Sequence, residues 1–185
     1  DFSITGSAVT FHCGSSWVPS NCLFFAYTDT KRILSLSDNT FTFHEKIEDE
    51  CKYERYKRIS DELIQWMDIQ IIHCMKARVL PVTIFLEGYS MGSRGRVFDI
   101  AEATMMFKMR LRNAYAWEYT NVAAPTLIKK EATGKGNAKK NQMVDAFIAD
   151  TGIDLYSKFR MKPTMSNLSP IADIADSYFI CRHSF

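Results

Sequence analysis

The stretch SPIADIADSYFI, residues 169–180, places two carboxylates three positions apart in an otherwise largely apolar segment. Ser169 is a preferred N-cap residue and Pro170 suits the first position of a helix, so the segment predicts a helix that starts here. Residues three apart lie on one face of a helix, which puts Asp173 and Asp176 on the same side. The apolar neighbours predict that this helix is buried, and two acids on a buried helix need an explanation.

Two interpretations of these acids are open. Acidic side chains near a helix N-terminus interact favourably with the helix dipole, which accounts for Asp173 but poorly for Asp176, because the effect fades beyond the first turn. The second interpretation is a carboxylate site. It is favoured by Glu87, which ends the apolar segment VTIFLE, residues 82–87, and by Asp1, which opens the turn DFSITG before a strand. Sites in α/β folds collect at the carboxyl ends of strands.

Four carboxylates from separate elements therefore predict a site for a hard divalent cation. Asp1, Glu87, Asp173 and Asp176 would supply oxygen ligands of the kind that Mg²⁺ prefers, and Mg²⁺ keeps several waters for a substrate phosphate.

A basic segment follows in APTLIKKEATGKGNAKK, residues 124–140. Exposed lysines and backbone amides near the start of a helix bind phosphate oxygens well, although a solvated surface loop has the same composition. The spacing is not that of a Walker A loop. The glycine-rich turn GYSMGSRGRVF, residues 88–98, adds two arginines and is either a mobile loop or a loop that grasps a nucleic-acid strand. The candidate phosphate-binding residues are Arg94, Arg96, Lys129, Lys130, Lys135, Lys139 and Lys140.

Composition sets broad limits on the function. The chain has 185 residues, of which 46% are hydrophobic and 24% charged, with a net charge of only +2, so any nucleic-acid surface must be a local patch. The sequence contains no apolar run of the roughly 20 residues that span a bilayer, and we expect no membrane association.

Its five cysteines are odd in number and form no Cys-x-x-Cys pair. This pattern predicts a reducing compartment and argues against a zinc knuckle or a disulfide framework.

Hydrophobic periodicity predicts an α/β fold, a mixed sheet covered by helices, within one domain over residues 1–185. Strands are predicted at residues 3–13, 22–28, 32–37, 81–89 and 117–125. Helices are predicted at residues 49–76, 97–115, 137–150 and from Ser169 onward, and residues 156–168 are predicted to be irregular.

Four segments in order resemble the RuvC-like Holliday junction resolvases of the ribonuclease H-like, or integrase, superfamily. Each motif alone is loose, but together they span nearly the whole chain at sensible spacing. They are similar to the family's first strand turn, its second-acid strand, its basic Gly-x-Gly-x-Ala-x-Lys segment and its final Asp-x-x-Asp helix. In this sequence they are DFSITGSAV, FLEGYSMG, APTLIKKEATGKGNAKKNQM and SPIADIADSYFI.

The resemblance implies a ribonuclease H-like mixed sheet flanked by helices and a metal-dependent endonuclease. Asp1, Glu87, Asp173 and Asp176 would be the metal-binding acids for two Mg²⁺ ions, with Mn²⁺ able to substitute. Lys129, Lys135 and Lys139 correspond to basic residues near the DNA.

The substrate implied by the family is branched DNA, four-way junctions above all, cut by paired nicks from a homodimer. We expect the dimer contact on the helix at residues 97–115, where apolar side chains exceed what one sheet face needs, although both faces could pack inside one domain. The side chains in question are Phe98, Met105, Met106, Met109 and Leu111. The expected location is the cytoplasm of a bacterial or phage-infected cell, with an organelle or a viral factory as alternatives.

Other functions stay open. A less selective debranching or flap nuclease uses the same chemistry, and a non-catalytic DNA-binding module can share the fold. DFSITGS also resembles the phosphate-binding turn of sugar kinases and actin-like ATPases, but those need two related halves.

The apolar residues that precede the first acid in resolvases are missing here, and the chain opens on Asp1 without Met. We therefore expect a divergent member and a trimmed piece of a longer product.

Overall fold

The computed structural model of the chain describes residues 7–47, 51–76, 83–88, 97–115 and 120–185. Asp1, Arg94 and Arg96 lie outside these ranges. Within them the strands form two groups. Strands β1 (Ala8–His12), β2 (Cys22–Thr28) and β3 (Phe41–Glu45) pair in the order β1-β2-β3, β1 antiparallel to β2 and β3 parallel to it. Strands β4 (Ile84–Glu87) and β5 (Thr120–Ala123) form a parallel pair.

Helices surround these strands. Their bounds are α1 Lys31–Leu34, α2 Lys52–Lys76, α3 Val97–Ala114, α4 Pro125–Thr133, α5 Lys140–Thr151, α6 Leu155–Lys158 and α7 Ile171–Arg182. Helices α4 and α5 each end at a glycine in the left-handed region, Gly134 at φ 77° and Gly152 at φ 73°, where a side chain would be strained. None of the helices within the described ranges has the length and apolar character to cross a bilayer.

The strands separate two apolar layers. On one face, β1, β2 and β3 pack against α5 and α7, with Phe24, Phe41, Phe147 and Tyr178 buried among them. On the other face, β2 and β4 pack against α2 and α3, with Phe25, Leu63, Leu86 and Leu111 buried. Because β2 is covered on both faces, CLFFAYT reads as a continuous apolar run. The predicted fold class is confirmed: a mixed sheet flanked by helices.

Three local predictions were wrong. Residues 32–37 were expected to be a strand, but Lys31–Leu34 is the short helix α1, and the third strand is β3 instead. The apolar spacing of so short a segment fits either structure, and parallel pairing with β2 selects β3. Pro170, not Ser169, is the N-cap of α7. Residues 156–168 are not wholly irregular, because α6 covers Leu155–Lys158.

Cys13 and Cys74 form a disulfide, contrary to the expectation from cysteine spacing. The two residues are 61 positions apart, and their Cα atoms come within 6.1 Å because the end of β1 lies beside the last turn of α2. Cysteine spacing carries no information on such a long-range approach. Cys22 is buried as a free thiol, while Cys51 is an exposed one.

Candidate active site

Asp173 is buried on α7 and is held on both carboxylate oxygens. The hydroxyl of Ser169 donates to Oδ2 at 2.6 Å, and the ammonium of Lys140 lies 3.3 Å from Oδ1. Only 6% of Asp173 is exposed, so an unpaired charge here would be strongly disfavoured. The Ser169 side chain therefore stabilises the first turn of α7 by its hydrogen bond to the Asp173 carboxylate. Sequence analysis missed this role, although the i, i+4 spacing of the two residues is visible in the sequence.

Asp176 lies one turn further along α7 and is electrostatically crowded. Burial, reinforced by repulsion from Glu87 and then from Asp173, raises the pKa of Asp176 to about 6. Lys140 and Lys129 act in the opposite direction but do not cancel these effects. The next residue, Ser177, is hydrogen-bonded to Thr10 of β1 at 2.8 Å, which fixes this part of α7 against the sheet.

Glu87 is the last residue of β4 and lies at the carboxyl edge that β4 shares with β5. It stands opposite Ala123 in the parallel register, and the amide of Gly88 donates to the Ala123 carbonyl at 2.7 Å. A side chain at Gly88 would come within 3.1 Å of that oxygen, so glycine permits the close approach of the two strand ends. Glu87 therefore lies at the sheet edge where the chain passes from β5 into α4.

The basic segment folds as a helix, a turn and a helix start. Helix α4 begins at Pro125 directly after β5 and carries Lys129, which is partly buried. In the turn, the Thr133 hydroxyl accepts from the Lys135 amide at 3.2 Å and donates to the Lys129 carbonyl at 2.8 Å. The Gln142 side chain accepts from the Lys139 amide at 2.9 Å and caps α5. Lys130, Lys135, Lys139 and Lys140 are exposed.

The structure thus brings together part of the predicted site. The charges of Glu87 and Asp173 act on Asp176, and those of Lys140 and Lys129 act on it in the opposite direction. Lys130, Lys135 and Lys139 lie on the exposed surface of the adjoining segment. Asp1, Arg94 and Arg96 fall outside the described residues. His183, at the end of α7, pairs with Glu131 of α4 at 2.8 Å.

The carboxylate oxygens of this site are of the type that binds a hard cation, but their positions do not form a ready coordination site. Carboxylates that repel one another are stabilised by a bound divalent cation, and Mg²⁺ selects oxygen ligands. In the described part of the chain, however, no three His, Cys, Asp or Glu side chains converge closely enough to hold a metal ion. Glu87, Asp173 and Asp176 are the described carboxylates that would contribute to such a site, and of these Asp173 is bonded to Lys140 and Ser169 in the structure.

Comparison with known proteins finds similarity among solved structures alone. No protein-family model matches the chain, and no curated protein is similar to it in sequence. A solved structure, RuvC of Thermus thermophilus, is similar to this chain with a TM-score of 0.46 and 17% sequence identity. The matched region covers 76% of this chain and 76% of that one.

Proposed function

We propose that the protein is a metal-dependent DNA endonuclease that cleaves branched DNA, four-way junctions in particular, by hydrolysis of phosphodiester bonds. The observation that carries the proposal is Asp176, an ionisable group on a buried helix whose pKa is raised to about 6 by burial and by neighbouring carboxylates. Strongly perturbed ionisable groups cluster at functional sites, and this one lies near Glu87 at a strand's carboxyl end. A purely structural helix has little reason to hold such a group.

The acids act as ligands in this proposal. Glu87 and Asp176, with Asp173 and with Asp1 from outside the described residues, would hold two Mg²⁺ ions, and Mn²⁺ would substitute. When bound, such ions supply an activated water and stabilise charge on the leaving oxygen. The carboxylates position the ions and need not transfer protons themselves. Lys129 and Lys140 carry positive charge to the same place, where it would offset the charge that develops on the phosphate.

The exposed lysines of the basic segment would hold the DNA backbone. Lys130, Lys135 and Lys139 lie on the surface that continues from the acids, and the small net charge of +2 means that binding depends on this local patch. Arg94 and Arg96, which follow Glu87 in the sequence, are proposed to extend it. Phosphate contacts of this kind position a substrate without selecting its base sequence.

The proposed activity includes a homodimer. Paired nicks on opposed strands need two active sites at a fixed separation, which a two-fold assembly provides. Helix α3 exposes Phe98, Met105 and Met109, whose side chains are 83%, 58% and 47% exposed. Their spacing of seven and four residues places them on one face of α3. The sequence-based contact set needs correction, since Leu111 is buried in the core and Met106 packs beside Tyr56 and Ala103.

One observation favours a second candidate, a non-catalytic DNA-binding module. Both oxygens of Asp173 are already engaged, by Lys140 and by Ser169, as expected of a structural ion pair in a protein that does not bind metal there. A less selective debranching or flap nuclease would differ from the main proposal only in substrate.

Cleavage of end-labelled DNA separates these functions. A four-way junction and a linear duplex of the same sequence would each be incubated with the protein in Mg²⁺, in Mn²⁺ and in EDTA. The proposal expects metal-dependent paired nicks in the junction and much slower cleavage of the duplex. Equal cleavage of both substrates would identify the less selective nuclease. DNA binding without cleavage under every metal condition would identify the non-catalytic module.

A further inference from the structure

Lys46 brings a positive charge to the start of the acidic helix α7 from the end of strand β3. Its amide donates to the Thr28 carbonyl at 3.0 Å, so its backbone continues the pairing of β2 with β3. Its ammonium nitrogen lies 3.4 Å from the hydroxyl of Ser169, just before α7. The two residues are 123 positions apart in the sequence, so no local pattern could select Lys46 as part of the site.

Ser169 connects this lysine to the acids. Its hydroxyl donates its one hydrogen to Oδ2 of Asp173 at 2.6 Å, which leaves its lone pairs to accept from the Lys46 ammonium. The other oxygen of Asp173, Oδ1, lies 3.3 Å from the ammonium of Lys140. Two lysines therefore approach one buried carboxylate at its two different oxygens, Lys140 directly and Lys46 through Ser169.

The two lysines come from different parts of the fold. Lys140 is the first residue of α5 and belongs to the basic segment, whereas Lys46 follows β3, the last strand in the β1-β2-β3 group. Asp173 lies between their ammonium groups, because each group is held at a different oxygen of its carboxylate. The basic segment thus supplies positive charge on one side of Asp173, and Lys46 supplies it on the other.

The charge of Lys46 is available to an anionic ligand. Among the residues that the structure describes, its ammonium bonds to a neutral hydroxyl and forms no ion pair, whereas those of Lys140 and Lys158 face carboxylates. An ammonium has three donors, so one bond leaves two for a ligand. The exposed Glu45 precedes it on a strand, where successive side chains point to opposite faces. Acidic residues follow at positions 48–50, so Lys46 would act through a single contact and not as part of a basic patch.

We propose that Lys46 binds a backbone phosphate of the substrate strand, on the opposite side of the cleaved bond from the phosphate that Lys140 binds. This inference rests on the proposed function, because it takes the ligand to be a DNA strand that lies across the acids. A strand carries a phosphate at every nucleotide, so one that crosses α7 meets Lys140 on one side of Asp173 and Lys46 on the other. Contacts on both sides fix the strand along its length and so position the bond to be cleaved beside Glu87 and Asp176.

The first test measures the salt dependence of junction binding by Lys46→Met in EDTA, where metal-dependent cleavage does not interfere. Loss of one phosphate contact lowers the slope of log affinity against log salt by about 0.9. A rise from about 50 to 200 mM salt should therefore weaken the unmodified protein about threefold more than Lys46→Met. Lys57→Met removes the same charge from an exposed position on α2 and should leave the slope unchanged. Circular dichroism checks that each variant folds.

The second test locates the contact with junctions in which single phosphates are replaced by uncharged methylphosphonates. Replacing the phosphate that Lys46 contacts should weaken binding by the unmodified protein at least about twofold more than binding by Lys46→Met, the lower end for groups in contact. The same cycle with Lys140→Met should identify a different phosphate. Cleavage of the unmodified junction in Mg²⁺ marks the cleaved bond, and we expect the two phosphates on opposite sides of it.

Failure of this inference is distinguishable from failure of the proposed function. An unchanged slope in Lys46→Met, with a lower slope in Lys135→Ala combined with Lys139→Ala, would overturn the role of Lys46 alone. An equal loss of slope in Lys57→Met, or coupling of Lys46 and Lys140 to phosphates on one side of the cleaved bond, would overturn it as well. An unchanged slope in every variant would refute DNA binding by this surface. Binding without cleavage in Mg²⁺ or Mn²⁺ would refute the proposed function and, with it, the placement of Lys46 beside a cleaved bond.

Discussion

Lys140, the first residue of α5, places its ammonium nitrogen 3.3 Å from Oδ1 of Asp173 on α7. The lysine is largely exposed and the aspartate is buried, so this ion pair reaches from the surface of the basic segment into the acidic helix. Two motifs that are 33 residues apart in sequence therefore meet in one place.

Asp176 should titrate near pH 6 in the metal-free protein, since burial and the charges of Glu87 and Asp173 raise its pKa from 3.8 to about 6. A raised carboxyl pKa means that the native state binds more protons than the unfolded state between those values. The free energy of unfolding should therefore fall as the pH rises across this window, by on the order of 3 kcal/mol. Carboxyl NMR of the protein, with Asp176→Asn as the assignment control, measures the pKa.

Two changes should move this titration in opposite directions. Mg²⁺ should lower the pKa of Asp176 if the carboxylate is a ligand, because the cation favours its charged form. Lys140→Met should raise the pKa further, because Lys140 opposes the carboxylate repulsion. Lys57→Met, an exposed change on α2, is the matched control and should leave the titration in place. A pKa near 4 for Asp176 in the unmodified protein would show that burial and the neighbouring carboxylates do not raise it.

Asp176→Asn and Glu87→Gln should each reduce junction cleavage by at least about a hundredfold, the scale for loss of one electrostatic group in an active site. DNA binding should stay equal or become tighter, because a negative charge near the phosphates is lost. Rates from single-turnover cleavage and affinities from fluorescence anisotropy give the two quantities separately.

The matched control for the acids is Glu45→Gln. Glu45 ends β3 as Glu87 ends β4, but it is exposed and is expected to have no role in cleavage. Near-normal cleavage by either Asp176→Asn or Glu87→Gln would remove these acids from the catalytic assignment, whereas loss of cleavage in Glu45→Gln would point to a general effect on folding.

Lys135→Ala combined with Lys139→Ala should weaken DNA binding and flatten its salt dependence. Each lost phosphate contact lowers the slope of log affinity against log salt by about 0.9. Both side chains are exposed, so the double change should leave folding intact. The double variant Lys57→Ala with Lys162→Ala removes the same charge elsewhere on the surface. An equal loss of slope in that control would mean that overall charge, not the basic segment, determines binding.

Met105→Lys combined with Met109→Lys should convert the proposed dimer into monomers, because two charges would be placed on the exposed apolar face of α3. The variant should still bind DNA, but its two nicks in a junction should become uncoupled. Light scattering at micromolar concentration reports the assembly state. Ile47→Lys, another exposed apolar position, is the control. An unmodified protein that is monomeric both alone and with junction DNA would refute the dimer.

Local sequence patterns were sufficient for several elements. The spacing of apolar residues predicted α2 and α3 within a few residues of their bounds, and CLFFAYT predicted β2 over the same residues. Patterns also selected Glu87, Asp173 and Asp176, because a charge inside an apolar segment is visible without a structure. In each case the signal lies within about one turn of helix or one length of strand.

Long-range packing decided the remainder. Pairing with β2 selected β3, and the approach of β1 to α2 joined Cys13 to Cys74. The Lys140–Asp173 ion pair and the raised pKa of Asp176 depend on helices α5 and α7 and strand β4 coming together. The sequence by itself determined which residues carry the charges and which segments are apolar. Only the tertiary structure decided which charges meet, since distances between remote segments are set by burial of both faces of the sheet and not by local periodicity.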